Sequence, residues 1–412
     1  MSIAGGDIRP RPKGDMRYIA EGQGVGVSGK TSLGVTVEVA SNLEALQALQ
    51  GDYEHLQELT GNTLPFALHA WHLCWCRHFL NIHRHIGMQM LIHAVRHDGK
   101  CVAIVPLMRT HRFFGPVRIT SIDLLGADPG VTEIRVPLVA KGYERRAAKA
   151  VYESIVSGGE PHWIQWAGIT GDFGGALADQ APLRWQTPLT DYILDLPPRW
   201  EDMRAQLKRN IRESIRHGYN SLKREGLHPE LRVVQNGPEL TAALERFLQL
   251  HALRALRDDT VQHPDVFASR AARSFLHEIC EQLAPRGLVR VFELRVCGTV
   301  VATRIGFVIG KGLYMYYSGY DPAWSRYGVM TTTVVETIKY AIASGLTEIN
   351  LSPGTDVSKT RWAPRMIQYP QAVQVSPSLV SEMAWEMYRR ARANDRQAPL
   401  MGLSRLIKRA WV

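Results

Sequence analysis

Residues 314–362 read YMYYSGYDPAWSRYGVMTTTVVETIKYAIASGLTEINLSPGTDVSKTRW, and this stretch sets the fold. An aromatic strand runs to Gly319, a turn carries Asp321 and Pro322, and a helix opens between Gly328 and Thr331. The helix closes at Ser344-Gly345, and EINLS then reads as a second strand. A strand–helix–strand unit of this kind leaves free backbone N–H groups at the helix start. Together with the helix dipole and Arg326, these suit an anion such as a pyrophosphate.

Upstream, LVRVFELRVCGTVVATRIGFVIGKG reads as strands joined at Cys297-Gly298. Before it come the helices GPELTAALERFLQLHALRAL and RAARSFLHEICEQLAP, the strands DYILDL and LRVVQ, and a basic helical segment, WEDMRAQLKRNIRESIRHGYNSLKREG. The first half follows the same plan. A period-two strand at 35–40 precedes the helices NLEALQALQGDYEHLQELT and LHAWHLCWCRHFL, and a hairpin then turns at Asp98-Gly99, a strong turn signal. VRITSIDLLG, RVPLVA, a helix over 142–157 and WIQWAGI complete it. The repeated order predicts an α+β protein made of two duplicated units, at 35–185 and 186–375. A flexible tail over 1–34 precedes them, and a C-terminal helix with a basic tail over 376–412 follows.

The 412 residues carry 45% hydrophobic content and a formal charge of +10, enough to bury a full core and biased toward anionic partners. No apolar run reaches membrane-span length and the first residues lack a signal-peptide core, so a cytoplasmic location is expected, at most peripheral at the inner face of the membrane. Five scattered cysteines, Cys74, Cys76, Cys101, Cys280 and Cys297, read as reduced core thiols rather than a disulfide framework.

GVGVSGKT at 24–31 spells a phosphate-binding loop, in which Lys30 would reach a phosphate and Thr31 a magnesium ion. Its flanks contradict that reading: a polar, proline-broken stretch precedes it and a strand follows, where a P-loop needs a buried strand and then a helix. The octet is therefore assigned to the tail. His69, His72, His78, His83, His85, His93 and His97 lie near Cys74 and Cys76, but CWC puts its thiols on different faces of a helix, so no metal is expected. The segment 204–224 holds seven cations, Arg209 and Arg212 among them, which makes it a candidate anion-binding helix.

GYDPAWSRY before a helix, then ASGLTEINLSPG and SKTRW, resemble the coenzyme-binding half of the CelD/BcsL-type acyltransferases of cellulose and exopolysaccharide biosynthesis, which belong to the GNAT superfamily and are related to the FemAB peptidyltransferases. The resemblance extends through FLQLHALRA and LHEICEQLAPRGLVRVFELRVCGTVVATRIGF, and in the first half through PFALHAWHLCWCRHF and GKCVAIVPLMR, spanning roughly residues 40–370. KRNIRESIRHGYNSLKREG is similar to the helix that FemAB-like proteins place beside their substrate, which makes Arg209 and Arg212 substrate contacts.

The resemblance implies two tandem GNAT-like domains, each a mixed, mostly antiparallel sheet flanked by helices. Acetyl-CoA or another acyl-CoA is then held mainly by the second. Its pyrophosphate contacts fall on Arg326, Tyr327, Gly328, Val329, Met330 and Thr331, with Lys359 steadying a phosphate. Many relatives have Pro-Gly where this chain has Gly328-Val329. His251 and Arg254 match the family's LHxxR helix, and Trp362 its tryptophan after the last core strand. The implied chemistry is attack of an amine on a thioester. His251 or Asp321 is then the base, because a protonated amine must first lose a proton, and Tyr320 or Tyr327 the acid for the departing thiolate. The expected acceptor is an amino sugar or nucleotide sugar of a cell-surface polysaccharide, with no metal, no nucleic acid, and an association with membrane-bound polysaccharide machinery. Two other readings remain: an aminoacyl-tRNA-dependent transferase acting on a peptidoglycan precursor, and a non-catalytic regulator of a polysaccharide synthase.

Overall fold

Both sequence-marked hairpins form as their turn residues dictate. Asp98-Gly99 and Cys297-Gly298 take φ of 49° and 77°, and of 49° and 81°, the left-handed pairs of a type I′ turn, whose twist matches the flanking strands. The computed structural model describes residues 25–28, 34–81, 86–114, 117–257 and 263–395. The first half comprises β1 (Val25–Ser28), β2 (Val35–Ala40), α1 (Leu43–Ala48), α2 (Gln50–Thr60), α3 (His69–Phe79), β3 (Ile86–His97), β4 (Lys100–Phe114), β5 (Val117–Leu124), β6 (Leu138–Val139), α4 (Glu144–Ser157), β7 (Trp163–Ala167) and α5 (Gly171–Ala178). β8 (Arg184–Asp195) leads into α6 (Trp200–Gln206), α7 (Arg209–Arg224), β9 (Pro229–Val234), α8 (Gly237–Ala255), α9 (Arg270–Leu283), β10 (Val289–Val296), β11 (Thr299–Ile309) and β12 (Gly312–Tyr320). α10 (Val329–Ala343), β13 (Glu348–Asn350), α11 (Val357–Thr360), β14 (Arg365–Val375) and α12 (Leu379–Asp395) follow.

The strands form one continuous sheet in the order β1-β2-β3-β4-β5-β7-β14-β8-β13-β12-β11-β10-β9, with β6 paired to β4 off this path. About its centre the order is a palindrome. The antiparallel run β2 to β5 followed by the parallel pair β5·β7 is matched by β9 to β12 followed by the parallel pair β12·β13. The duplicated α+β plan read from the sequence is therefore present, and β14 and β8 fuse its two copies edge to edge. The copies also share a core. Phe66 meets Tyr314 with ring centroids 5.0 Å apart, and Trp71 meets Phe275 at 5.1 Å and Tyr316 at 5.8 Å, edge-on packing that adds to the area these rings bury.

Several local expectations are corrected. Val25–Ser28, inside the P-loop-like octet, is not flexible tail but a strand antiparallel to β2, with Val25 opposite Ala40. An extended strand cannot wrap a phosphate; Lys30 and Thr31 lie outside the described residues. The helix expected over 42–60 is two helices that break at Leu49, and the basic segment divides into α6 and α7 at Leu207-Lys208. RVPLVA yields a strand of only two residues. Cys297 is exposed at its turn, whereas the other four thiols are buried. His69 and His72 are core residues, with His69 Nε2 2.9 Å from Leu46 O and His72 Nδ1 2.9 Å from the Tyr53 hydroxyl; His83 and His85 lie outside the described residues. Among the described residues no three His, Cys, Asp or Glu side chains cluster as a metal site, and no helix is long and apolar enough to cross a membrane.

Candidate active site

The site lies where β12 and β13 part. Their parallel ladder covers only Gly312–Tyr314 against Glu348–Asn350. Beyond it β12 runs on to Tyr320 without that neighbour, and its pairing with β11 shifts register between Arg304 and Gly306, a bulge that re-aims side chains at the fork. In the first half the equivalent fork beside β5·β7 is filled by the chain's own loop: a Cβ on Gly168 would strike Arg135 O and Val136. The second fork holds a cavity of about 110 Å³.

That cavity gathers side chains from six segments. Arg254 comes from α8, Arg304 from β11, Met315 from β12, Met330 and Thr331 from the first turn of α10, Leu351 from the end of β13, and Lys359, Arg361 and Trp362 from α11 and the residues after it. Arg254 Nη1 and Arg304 Nη2 both donate to Ser318 Oγ, at 2.7 and 3.3 Å. Arg361 Nη2 donates to Thr331 Oγ1 at 3.1 Å. Lys359 donates to Pro353 O, and the Trp362 indole N–H donates to Ser358 O at 3.0 Å, which pins the loop across the fork. Burial holds Arg254, Lys359 and Arg361 below their ordinary pKa and brings Arg304 down to about 10.

The first half supplies the carboxyl at this site. The loop after β5 lies against β12, where the Tyr316 and Tyr317 hydroxyls donate to Val131 O and Gly130 O, the latter at 2.7 Å. Between them and the fork, Glu133 Oε2 accepts the Tyr314 hydroxyl at 2.9 Å. Burial drives the Glu133 carboxyl up from 4.5 to about 7, against the opposing pull of Lys359, the Tyr314 hydrogen bond and Arg304. Asp191 of β8, fully buried, is also raised by burial; one oxygen accepts Asn350 Nδ2 at 2.6 Å and the other has no partner.

Five of the sequence-derived residues, Arg254, Met330, Thr331, Lys359 and Trp362, thus meet in one cavity. The others lie elsewhere. Arg326 points away from it, 71% exposed, stacked on the Tyr327 ring at 4.7 Å and 3.5 Å from Glu225, the residue that follows α7. Tyr327 donates its hydroxyl to Glu225. Gly328 (φ 65°) and the buried Val329 cap and anchor α10, and α7 crosses so closely that a Cβ on Gly218 would stand 3.3 Å from Tyr327 O and Thr332 Oγ1. This side of the helix start is covered by protein, so only the side facing Met330 and Thr331 is open to an anion.

The proposed acid–base residues are also placed elsewhere. His251 is 3% exposed, stacked on Phe247 at 5.4 Å, with Nδ1 3.0 Å from Ser318 O and its pKa lowered by burial. It packs α8 onto β12, with Nε2 buried 3.7 Å from Asp265. Asp321 caps a turn by accepting Ala323 N at 2.9 Å, and the Tyr320 hydroxyl accepts Arg257 Nη1 at 3.1 Å. Arg209 and Arg212 lie on the exposed face of α7, and Arg209 is paired with Glu213 at 2.7 Å. Sequence reading missed Glu133, Arg304 and Arg361. Arg361 stands inside the quoted SKTRW; Glu133 sits in GVTEIRV, which matches no motif.

Residues 209–360 match the family described as acetyltransferase (GNAT) domain, and the matched span contains the fork, α10 and three of the four cavity cations, with Arg361 just beyond its end. The second half is thus a GNAT-type acyltransferase domain, and the chain is an acyltransferase. No curated protein matches the chain. Among solved structures it is similar to FemX, with 11% identity and a TM-score of 0.56 over 80% of this chain and 98% of that one, a likeness of fold. It is also similar to a tandem GNAT protein from the clavulanic acid biosynthesis pathway, with 10% identity and a TM-score of 0.44 over 83% and 99% of the two chains.

Proposed function

We propose that the protein is an acyl-CoA-dependent N-acyltransferase in which the two halves share one active site, with Glu133 of the first half as general base. The observation that carries this reading is the Glu133 carboxyl at the fork, its pKa raised to about 7 and its oxygen held by Tyr314. A base poised near neutrality balances availability against proton-accepting strength. Acyl-CoA supplies a thioester carbonyl activated for attack. The amine nitrogen bonds to that carbon, its proton passes to Glu133, and the carbon–sulfur bond breaks to release the coenzyme thiolate, which takes up the proton that Glu133 then gives back. The free N–H groups at the start of α10 suit a phosphate of the coenzyme on the open side of that helix. The acceptor proposed from the family resemblance is an amino sugar or nucleotide sugar of a cell-surface polysaccharide, met in the cytoplasm or at the membrane face. Titration calorimetry with acetyl-CoA, followed by mass spectrometry of candidate amino-sugar nucleotides incubated with it, tests this. Absence of acetyl-CoA binding removes the donor, and absence of acylated product removes the acceptor class.

One observation favours a second reading. Lys208, Arg212, Arg216, Lys223 and Arg224 form an exposed cationic face on and beside α7, next to the covered helix start. An aminoacyl-tRNA donor, as the FemAB kinship implies, would use that face, and its transfer activity would be destroyed by ribonuclease.

A further inference from the structure

Four cations, Arg254, Arg304, Lys359 and Arg361, line the fork cavity of about 110 Å³. Among the described residues no carboxylate pairs with any of the three guanidiniums; their partners are Ser318, Thr331, the Tyr316 carbonyl and a histidine, His263, 2.6 Å from Arg254 Nη2. Lys359 donates to Pro353 O and has Asp356 at 3.9 Å, and Asp356 also acts on Arg254 and Arg304 from beyond ion-pair distance. The Nε atoms of Arg304 and Arg361 are buried with no hydrogen-bond partner. Unpaired buried charge is costly, and the pattern of planar donors suits a bidentate oxyanion. The pantetheine arm that a GNAT fork accommodates is uncharged and does not call for such a cluster. The volume admits a group of a few heavy atoms, such as a carboxylate or one phosphate.

Glu133 adjoins the same cluster, since Lys359 and Arg304 both act on its carboxyl. Through Tyr314, at the β12·β13 ladder, the Glu133 carboxyl is held on the side of the fork from which Lys359 and Arg304 reach the cavity. We propose that the cavity binds the anionic group, a carboxylate or a phosphate, of the acceptor, so that the substrates are amines carrying such a group close to the nitrogen, in the manner of an amino acid or an amino-sugar phosphate. This rests on the acyltransferase reading above.

Orthophosphate and acetate are titrated calorimetrically into the full-length protein, alone and with saturating acetyl-CoA. The expected result is one-site binding of at least one of them, changed less than about threefold by acetyl-CoA and weakened at least tenfold in Arg304→Gln and Arg361→Gln. Lys359→Gln, in the short helix α11, is expected to show the same weakening and serves as the test if loss of the β11 arginine unfolds the chain. No saturable binding of either anion overturns the proposal. Displacement by acetyl-CoA also overturns it, because the cavity then belongs to the coenzyme phosphates. Oxyanion binding that the variants abolish, in a protein that fails to bind acetyl-CoA, supports the pocket and counts against the acyl-CoA donor alone, so the two failures are distinguishable.

Discussion

Replacing Glu133 by Gln is expected to stabilise the protein at alkaline pH while abolishing its activity. The Glu133 carboxyl titrates near 7 in the fold against an ordinary 4.5. The folded state therefore holds this proton more tightly than the unfolded chain, so its contribution to stability is complete below pH 4.5 and is lost as pH rises to about 7, with little change above. At about 1.36 kcal/mol per pH unit, the loss approaches ~3 kcal/mol at pH 8 and stays below ~1 kcal/mol at pH 5. Gln is nearly isosteric, can accept the Tyr314 hydroxyl, and has no charge to desolvate. Urea unfolding of both proteins at pH 5 and pH 8, with matched m-values, measures the difference. Glu133→Gln is expected to unfold at higher urea at pH 8 and at nearly the same urea at pH 5. An equal effect at the two pH values, or a variant less stable than the parent at pH 8, refutes the assignment of a raised carboxyl.

Three further outcomes follow. The pH profile of kcat/KM is expected to rise through about 7 as Glu133 loses its proton, and Glu133→Gln is expected to remove that limb and about 10²–10⁴ of the rate; a profile flat from pH 6 to 8 contradicts the base role. Gly319→Ala places a Cβ against the backbone of Leu250 and His251, so α8 must lift from β12; a loss of about 3 kcal/mol or more in denaturant unfolding is expected, and a loss under about 1 kcal/mol would show that α8 is free to move. Arg326→Ala, which removes an exposed side chain turned toward Glu225, is expected to change the acetyl-CoA Kd by less than about threefold, and a tenfold loss would return Arg326 to the coenzyme site.

Much of the fold was legible because its signals are local. The left-handed dipeptides fixed both hairpins, and period-two and helical spacing located most elements, so the duplication could be seen without identities between the halves. β14 escaped because Pro370 interrupts it, and proline argues against an interior strand. The chain accommodates it at the register shift between Tyr369 and Gln371, where no ladder N–H is needed. α5 escaped because GDFGGALA carries three glycines, poor helix formers, of which Gly174 packs under Trp185. The site was half legible. The residues following β12 and β13 lie in one continuous stretch and were found together. Glu133 reaches Tyr314 from 181 residues away, a proximity set by how the halves pack and not by any spacing in the chain. His251 illustrates the opposite error: its residue type suggested chemistry, but burial among Phe247, Phe267 and Tyr317 makes it a packing residue.

The central position of β14 also governs how the protein can be made. On one side it pairs with β7, Gln371 opposite Ala167 and Val375 opposite Trp163. During synthesis β7 therefore emerges with one edge bare, and its partner follows about 200 residues later, some 10–40 s at ordinary elongation rates. Throughout that interval the nascent first half presents unpaired backbone donors and acceptors to any extended chain nearby. Biogenesis thus depends on shielding this edge until residue 375 has left the ribosome, and truncations ending before β14 should accumulate as aggregates or on chaperones.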